Sequence, residues 1–117
     1  MKDIAFLFCG DIMKAAEIDL VQTAGEKLDS DVLLVPHHGS KTSSTAAFIQ
    51  HVTPDIAIVS AGWNNRYGYP HPEVVRRYRT ADCKIFRTGR DGAVRLTTDG
   101  KTITVATFAA DTDSRCY

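Results

Sequence analysis

The sequence predicts an α/β domain that finishes in an antiparallel hairpin. Through the first two thirds of the chain, short apolar runs alternate with segments in which apolar residues recur at helical spacing. The last third holds three short β-rich runs separated by glycine-containing turns. The predicted order is therefore β-α-β-α-β-α-β-β-β, which favours a mixed sheet with helices on one face and a C-terminal antiparallel hairpin.

Three buried strands are predicted in the first half of the chain. Residues 4–9 (IAFLFC) form a nearly continuous apolar run that Gly10 closes, and residues 31–35 (DVLLV) form another that Pro36 ends. Residues 55–60 (DIAIVS) form the third. Because such runs show little polar alternation, they are typical of strands that are covered on both faces.

Helices are predicted between these strands and a β-meander after them. The helical segments are 15–24, which ends near Gly25; 45–52, which follows a Ser/Thr cluster of N-cap donors; and the segment that starts at Pro72. The β-rich runs of the last third are 84–87, 93–98 and 102–108. The Asp99-Gly100 pair between the last two runs is the strongest hairpin signal in the sequence.

Composition excludes several classes of protein. The chain has 117 residues, with 14 Lys+Arg against 14 Asp+Glu, and 44% of it is hydrophobic, so it is not predicted to be disordered. The balanced charge gives no general electrostatic footprint for nucleic acid or an anionic membrane. The three cysteines are too few and too irregularly spaced for a disulfide framework. No apolar run approaches the roughly 20 residues that a membrane-spanning helix needs.

Polar residues cluster where the predicted strands end. Asp11 follows the first strand, His37 and His38 follow the second, and His71 lies beyond the third; the remaining histidine, His51, belongs to a helix. Loops at the carboxyl ends of parallel strands meet at one edge of a sheet. Imidazole and carboxylate are ligands for Zn2+, Mn2+ or Fe2+, although this set alone is small for a two-metal site.

Four segments carry a resemblance to a known family. They are GDI at 10–12, LLVPHHGSKTSS at 33–44, PDIAIVSAGWNNRYGYPHPEVV at 54–75 and FRTGRDGAV at 86–94. Together they resemble the final portion of the metallo-β-lactamase-fold domain of the ComEC-family DNA internalization competence proteins. The similarity runs from about residue 4 to about residue 108, and PHHGS followed by PHPE is far more specific than an isolated pair of histidines.

The resemblance implies a fold and a set of site residues. The fold would be an αββα sandwich of two similar halves with metal ions between them, of which this chain supplies one half. By the same resemblance Asp11 is the carboxylate that bridges the metals and His37 is a metal ligand, with Zn or Mn as the metal. His38 is the alternative ligand or a supporting catalytic residue. His71 is a general acid or a donor to a phosphate oxygen.

One departure from the family pattern changes this expectation. The principal metal motif, His-x-His-x-Asp-His, does not occur in the chain. The chain is therefore predicted to be the C-terminal half of a larger domain, with residues 1–110 in the domain and 111–117 as a tail. Its partners would be the upstream half of the same domain and single-stranded DNA. The isolated fragment is expected to be inactive, and either to form a homodimer or to expose an apolar patch.

Three functions are compatible with these residues. The resemblance implies a metal-dependent phosphodiesterase that degrades the DNA strand that is not imported during transformation. Its parent would lie in the bacterial cytoplasmic membrane, with this domain soluble and extracytoplasmic. The first alternative is a structural or DNA-guiding module without catalysis. The second is a stand-alone hydrolase of the same superfamily that acts on a small phosphate ester or lactone.

Other polar and aromatic residues are open to two interpretations. The cluster of Ser40, Thr42, Ser43 and Ser44 could bind phosphate oxygens or simply cap a helix. The cations Lys41, Arg66, Arg87 and Arg90 could line a nucleic-acid path or form an ordinary solvated surface. The aromatic residues Trp63, Tyr67 and Tyr69 could stack on bases or cover the core.

Overall fold

The α/β prediction is confirmed by a computed structural model, which describes residues 4–62 and 66–108. Four strands form one sheet in the order β1-β2-β3-β4, and every neighbouring pair is parallel. The strands are β1 (Phe6–Phe8), β2 (Val32–Leu34), β3 (Ile56–Val59) and β4 (Lys84–Arg87). Each predicted strand of this sheet is therefore present, although the first three are shorter than the apolar runs that predict them.

Helices connect successive strands. They are α1 (Lys14–Ala24), α2 (Ala46–Val52) and α3 (Pro72–Thr80), followed by the single turn α4 (Thr88–Asp91). Two short 3-10 segments, Gly25–Leu28 and Pro36–Gly39, complete the connections. The first three helices agree with the sequence prediction, whereas the 3-10 segments and α4 lie where only turns were expected.

The C-terminal hairpin forms a sheet of its own. Strands β5 (Ala93–Thr98) and β6 (Ile103–Phe108) pair antiparallel across the predicted Asp-Gly turn. Within the described residues the four-stranded sheet is thus wholly parallel, where the sequence predicted one mixed sheet. The difference arises because α4 separates β5 from β4, so that β5 pairs with β6 instead. At the turn, the Ile4 N–H donates to the carbonyl of Gly100 over 3.3 Å.

The core lies between the sheet and the helices. In register across the four strands, Leu7, Leu33, Ala57 and Ile85 point to one face. They pack in one cluster with helical side chains that include Phe48, Val52, Val74 and Tyr78. One helical layer on one face of a sheet is consistent with half of an αββα sandwich.

The opposite face of the sheet is also apolar but incompletely covered. Phe6 and Phe8 are 38% and 70% exposed, and Ile56 and Ile58 are half-buried. No helix among the described residues is both long enough and apolar enough to cross a membrane. The predicted tail, 111–117, lies outside the described residues, as do Trp63 and Cys116.

Candidate active site

The candidate site lies at the carboxyl edge of the parallel sheet. Asp11 follows β1, His37 and His38 follow β2, and Ser60 follows β3. The backbone joins two of these loops directly, because the His37 N–H donates to the carbonyl of Gly10 over 2.9 Å. Asp11 is therefore held beside the histidine pair, as the order of the strands predicts.

The histidine pair occupies an unusual backbone conformation. His37 and His38 both have positive φ, at 51° and 56°, inside the segment Pro36–Gly39. Such angles are uncommon for residues with a side chain and draw attention to a functional site. The Ser40 N–H donates to the His37 carbonyl over 3.0 Å and closes the turn.

His38 bridges the loops that follow β1 and β3. Its Nδ1 lies 2.7 Å from the carbonyl oxygen of Ser60, and its Nε2 lies 3.5 Å from Oδ1 of Asp11. Because a carbonyl oxygen can only accept, Nδ1 carries the proton in this contact. In the neutral ring, Nε2 is then an unprotonated nitrogen that faces the carboxylate side of the site. A histidine held by a backbone carbonyl in this way is typical of metal ligands.

His37 has a buried nitrogen without a partner. No hydrogen bond reaches its Nδ1 from the described residues, although that atom is hidden from solvent. The ring lies 6.0 Å from the ring of Tyr69 and 6.4 Å from that of His38, centroid to centroid. Buried polar atoms are nearly always paired, so this nitrogen calls for a partner beyond the residues described.

His71 begins helix α3. Its Nδ1 accepts the Glu73 N–H over 3.1 Å, so the side chain caps the helix. The His71 N–H donates to the Gly39 carbonyl over 2.9 Å, which attaches the start of α3 to the histidine turn. His71 thus has a structural role as the N-cap of α3, and only its Nε2 remains for other chemistry.

Three relatives show where this chain belongs. It is 37% identical over 92 residues to ComE operon protein 3 of Bacillus subtilis and 40% identical over 92 residues to competence protein ComA of Neisseria gonorrhoeae. It is 37% identical over 90 residues to recombination protein 2 of Haemophilus influenzae. These matches cover 77–79% of the chain and fall in the C-terminal region of the relatives. Over these residues the chain belongs to the ComEC family of competence proteins.

The match to the ComEC family covers little of each relative. The chain spans only 11–13% of the length of the three relatives. No protein-family model and no solved structure matches the chain significantly. The comparisons therefore show the family of this segment.

This ComEC-family chain has ligand types that suit a divalent metal, but too few of them to complete a site. Asp11, His37 and His38 provide the carboxylate and imidazole donors that Zn2+ or Mn2+ takes. Within 4–62 and 66–108, however, no group of three or more His, Cys, Asp or Glu side chains is placed to hold a metal ion. A complete site would need ligands from elsewhere, so no catalytic step can be derived for these residues alone.

The serine cluster serves the structure of the chain. Ser43 is buried and its hydroxyl donates to the carbonyls of Pro36 and Ser40, at 3.0 and 2.9 Å. The Ser44 hydroxyl is also buried and lies 2.8 Å from the Tyr78 hydroxyl. Thr45 is the N-cap of α2. The hydroxyls of Ser43 and Ser44 thus serve internal contacts of the fold, and the helix cap is Thr45, outside the predicted cluster.

A groove of about 690 Å³ opens beside His38. Tyr67 and Tyr69 line it, and their rings are stacked with centroids 5.4 Å apart. The Arg66 guanidinium carbon lies 5.2 Å from the centre of the Tyr67 ring. Tyr67 is 64% exposed, which supports a stacking surface rather than a cover for the core. The sequence did not single out the Ser60 carbonyl at this groove, since a backbone partner leaves no signal in residue type.

Proposed function

We propose that this chain is part of a metal-dependent phosphodiesterase domain that cleaves DNA. In this proposal the substrate is the DNA strand that is not imported during transformation. The domain would be a metallo-β-lactamase-like αββα sandwich of which the chain forms one half. The parent protein would lie in the cytoplasmic membrane, with this domain on its outer side.

The observation that carries the proposal is the position of Asp11, His37 and His38 in neighbouring loops at the carboxyl edge of the sheet. A carboxylate oxygen and an imidazole nitrogen lie 3.5 Å apart there, next to a second imidazole whose buried Nδ1 has no partner among the described residues. In a chain of the ComEC family, DNA is the substrate that best accounts for such a site. A free hydrolase of small esters or lactones has no comparable support.

Each residue is assigned a role in this proposal. Asp11 and His37 are metal ligands, while His38, oriented by the Ser60 carbonyl, is either a further ligand through an unprotonated Nε2 or, with both ring nitrogens protonated, the donor that orients Asp11. His71 holds a proton on Nε2, where it can meet a phosphate oxygen or the leaving group. A bound Zn2+ or Mn2+ would supply an activated water and neutralise charge on the phosphoryl group.

Metal binding by the chain tests the ligand assignment. Since the ligand set is incomplete, isothermal titration with Zn2+ is expected to give a Kd no tighter than about micromolar. Each 1.4 kcal/mol of binding free energy that a missing ligand removes raises the Kd about tenfold. Asp11→Asn and His37→Gln should weaken binding further, whereas His51→Gln on the exposed surface of α2 should not. Equal effects of all three variants would refute the assignment.

Cleavage tests the reaction. The isolated chain should not cut single-stranded DNA, whereas a polypeptide that joins it to a segment bearing His-x-His-x-Asp-His should cut in the presence of Mn2+ or Zn2+. Asp11→Ala should lower that rate at least about 100-fold, as loss of an essential charge-stabilising group does. Tight stoichiometric metal and cleavage by the isolated chain would show that its site is complete.

A second candidate is a DNA-guiding module without catalysis. It is favoured by the finding that the described residues hold no group of three metal-ligating side chains. In that case the joined polypeptide would bind single-stranded DNA but leave it intact in every divalent metal. Binding and cleavage assays on the same protein therefore separate the two candidates.

A further inference from the structure

Four arginines surround one surface depression in a chain whose formal net charge is zero. They are Arg76 and Arg79 on α3, Arg87 at the end of β4 and Arg90 in α4. One hollow is lined by the first three of them, and an adjoining hollow is lined by the last two. Because both hollows include Arg87 and Pro70, they form one continuous surface.

The positive charge of this arginine cluster is only partly compensated. Asp91 compensates Arg90, because Nε and Nη2 of Arg90 donate to the two carboxylate oxygens of Asp91 at 3.1 and 3.2 Å. For the other three arginines, no carboxylate of the described residues lines either hollow. The buried Nε of Arg87 has no hydrogen-bond partner there either. Burial, and then the nearby charges of Arg90 and Arg79, lower the pKa of Arg87. A bound anion would relieve the repulsion among these arginines.

The arginine cluster is continuous with the aromatic groove beside His38. Tyr69 lines the hollow that contains Arg87 and Arg90, and it also lines the groove that contains His38 and Tyr67. A stacked pair of tyrosines next to several guanidinium groups combines a surface for bases with a surface for phosphates. Proteins that bind single-stranded nucleic acid use this combination.

We propose that the arginine cluster binds phosphates of a single-stranded nucleic acid whose neighbouring bases stack on Tyr67 and Tyr69. The nucleic-acid strand would run from the loop that contains His37 and His38, along the groove lined by Tyr67 and Tyr69, to α3. This inference rests on the proposed function, because it gives the path by which a substrate strand reaches or leaves the site. Binding at the cluster nevertheless needs no metal, so it can be tested separately.

The test is anisotropy of a fluorescein-labelled oligo(dT) with the full chain in EDTA. Arg76 and Arg79 are exposed, so the Arg76→Gln/Arg79→Gln variant should fold normally, as circular dichroism can verify. Its affinity for the oligonucleotide should fall about tenfold. Because two phosphate contacts are lost, at roughly 0.7 each, the slope of log K against log salt concentration should become about 1.4 less steep. Tyr67→Ala should weaken binding about fivefold or more without changing that slope.

The matched control is Lys27→Gln/Lys101→Gln, which removes the same charge at exposed positions outside both hollows. An equal loss in the control and arginine variants would overturn the proposal in favour of a general charge effect. So would binding of inorganic phosphate through the arginines without any binding of the oligonucleotide. Absence of metal-dependent cleavage would contradict only the proposed function, since the binding assay contains no metal.

Discussion

At the level of single residues, the buried carboxylate of Glu17 organises the loop that leads into α2. Glu17 is fully buried in α1, and its two oxygens accept the N–H groups of Ser44 and Thr45. Ser44 has a positive φ of 56°, so the loop needs this external support. The contact joins α1 to the start of α2 and keeps the serine cluster against the core.

Replacing Glu17 tests this support. Glu17→Ala should lower the free energy of unfolding by about 2–4 kcal/mol, because two backbone donors lose a charged acceptor. Urea denaturation gives the value directly. The control is Glu26→Ala, which replaces an exposed glutamate. It should lower the free energy of unfolding by no more than about 0.5 kcal/mol. A similar loss in both variants would contradict the role of Glu17.

The hydroxyl pair of Ser44 and Tyr78 offers a second test. The two oxygens are 2.8 Å apart, and both residues are buried. Tyr78→Phe and Ser44→Ala should each destabilise the chain, while the double variant should cost less than their sum by about 1 kcal/mol. A double-mutant cycle in urea measures that coupling. Strict additivity would mean that the pair contributes nothing of its own.

The thiol of Cys83 should be unreactive in the folded chain. Burial, with the charge of Asp55 as a lesser cause, raises the pKa of Cys83 to about 12. At pH 8 the reactive thiolate is then on the order of one part in 10,000, and it rises tenfold with each pH unit. Ellman's reagent at pH 8 should therefore label the native chain and Cys83→Ser at equal rates. Faster labelling of the native chain would contradict the shift.

Single-residue contacts were predictable only where sequence neighbours make them. A Ser/Thr N-cap for α2 was predicted, but the residue that caps it is Thr45, one position after the predicted cluster, which accepts the Phe48 N–H. Glu17 was not predicted, because its partners lie 27 and 28 residues away and are backbone groups. For the same reason the sequence placed both histidines near Asp11 but could not indicate that His38 contacts it.

At the level of elements, the apolar runs and helical periodicity were sufficient to predict every strand and the three longer helices. Among the short segments that were not predicted, Pro36–Gly39 matters most for the site, because it is a 3-10 segment that contains two left-handed histidines. Propensity disfavours that conformation, so the sequence gives no local signal for it. Tertiary contacts hold it instead, through Gly10 on one side and through Pro70 and His71 on the other.

A substitution at Gly39 tests how tightly the segment Pro36–Gly39 packs against Pro70. Its φ is +84°, and an added Cβ would lie 2.6 Å from Cβ and 2.8 Å from Cα of Pro70. Gly39→Ala should therefore cost about 3 kcal/mol, from backbone strain and steric overlap together. It should also weaken Zn2+ binding, because the clash moves the histidine turn.

Gly100→Ala is the control for backbone strain alone. Its φ is +93°, but no heavy atom of the described residues lies within 4 Å of the added Cβ. The expected cost is about 1 kcal/mol, with no change in Zn2+ affinity. Urea denaturation and titration calorimetry on both variants separate the two contributions. Equal costs would show that Pro70 does not restrict Gly39.

At the level of the whole molecule, the order of strands followed from the alternation of strand and helix, and the family followed from the loop motifs. The hairpin was predicted, but its separation from the parallel sheet was not, because pairing between β4 and β5 depends on the path of α4 rather than on residue type. Whether the metal site is complete could not be predicted from the sequence of this chain. A donor set can be read from residues, but its coordination number depends on what else packs against the sheet.

The uncovered face of the sheet leads to a prediction about association. Strands bury alternate residues on opposite faces, and among residues 4–62 and 66–108 the face with Phe6 and Phe8 has no helix layer comparable to the other. Burying one phenylalanine side chain stabilises an interface by about 1.5–3 kcal/mol.

The isolated chain is therefore expected to dimerise through this face in sedimentation velocity as its concentration rises. Phe8→Asp should weaken the dimer more than about tenfold, whereas Ile18→Asp, on the exposed side of α1, should leave it unchanged. A monomer at every concentration that also fails to bind a hydrophobic dye would mean that the face is already covered.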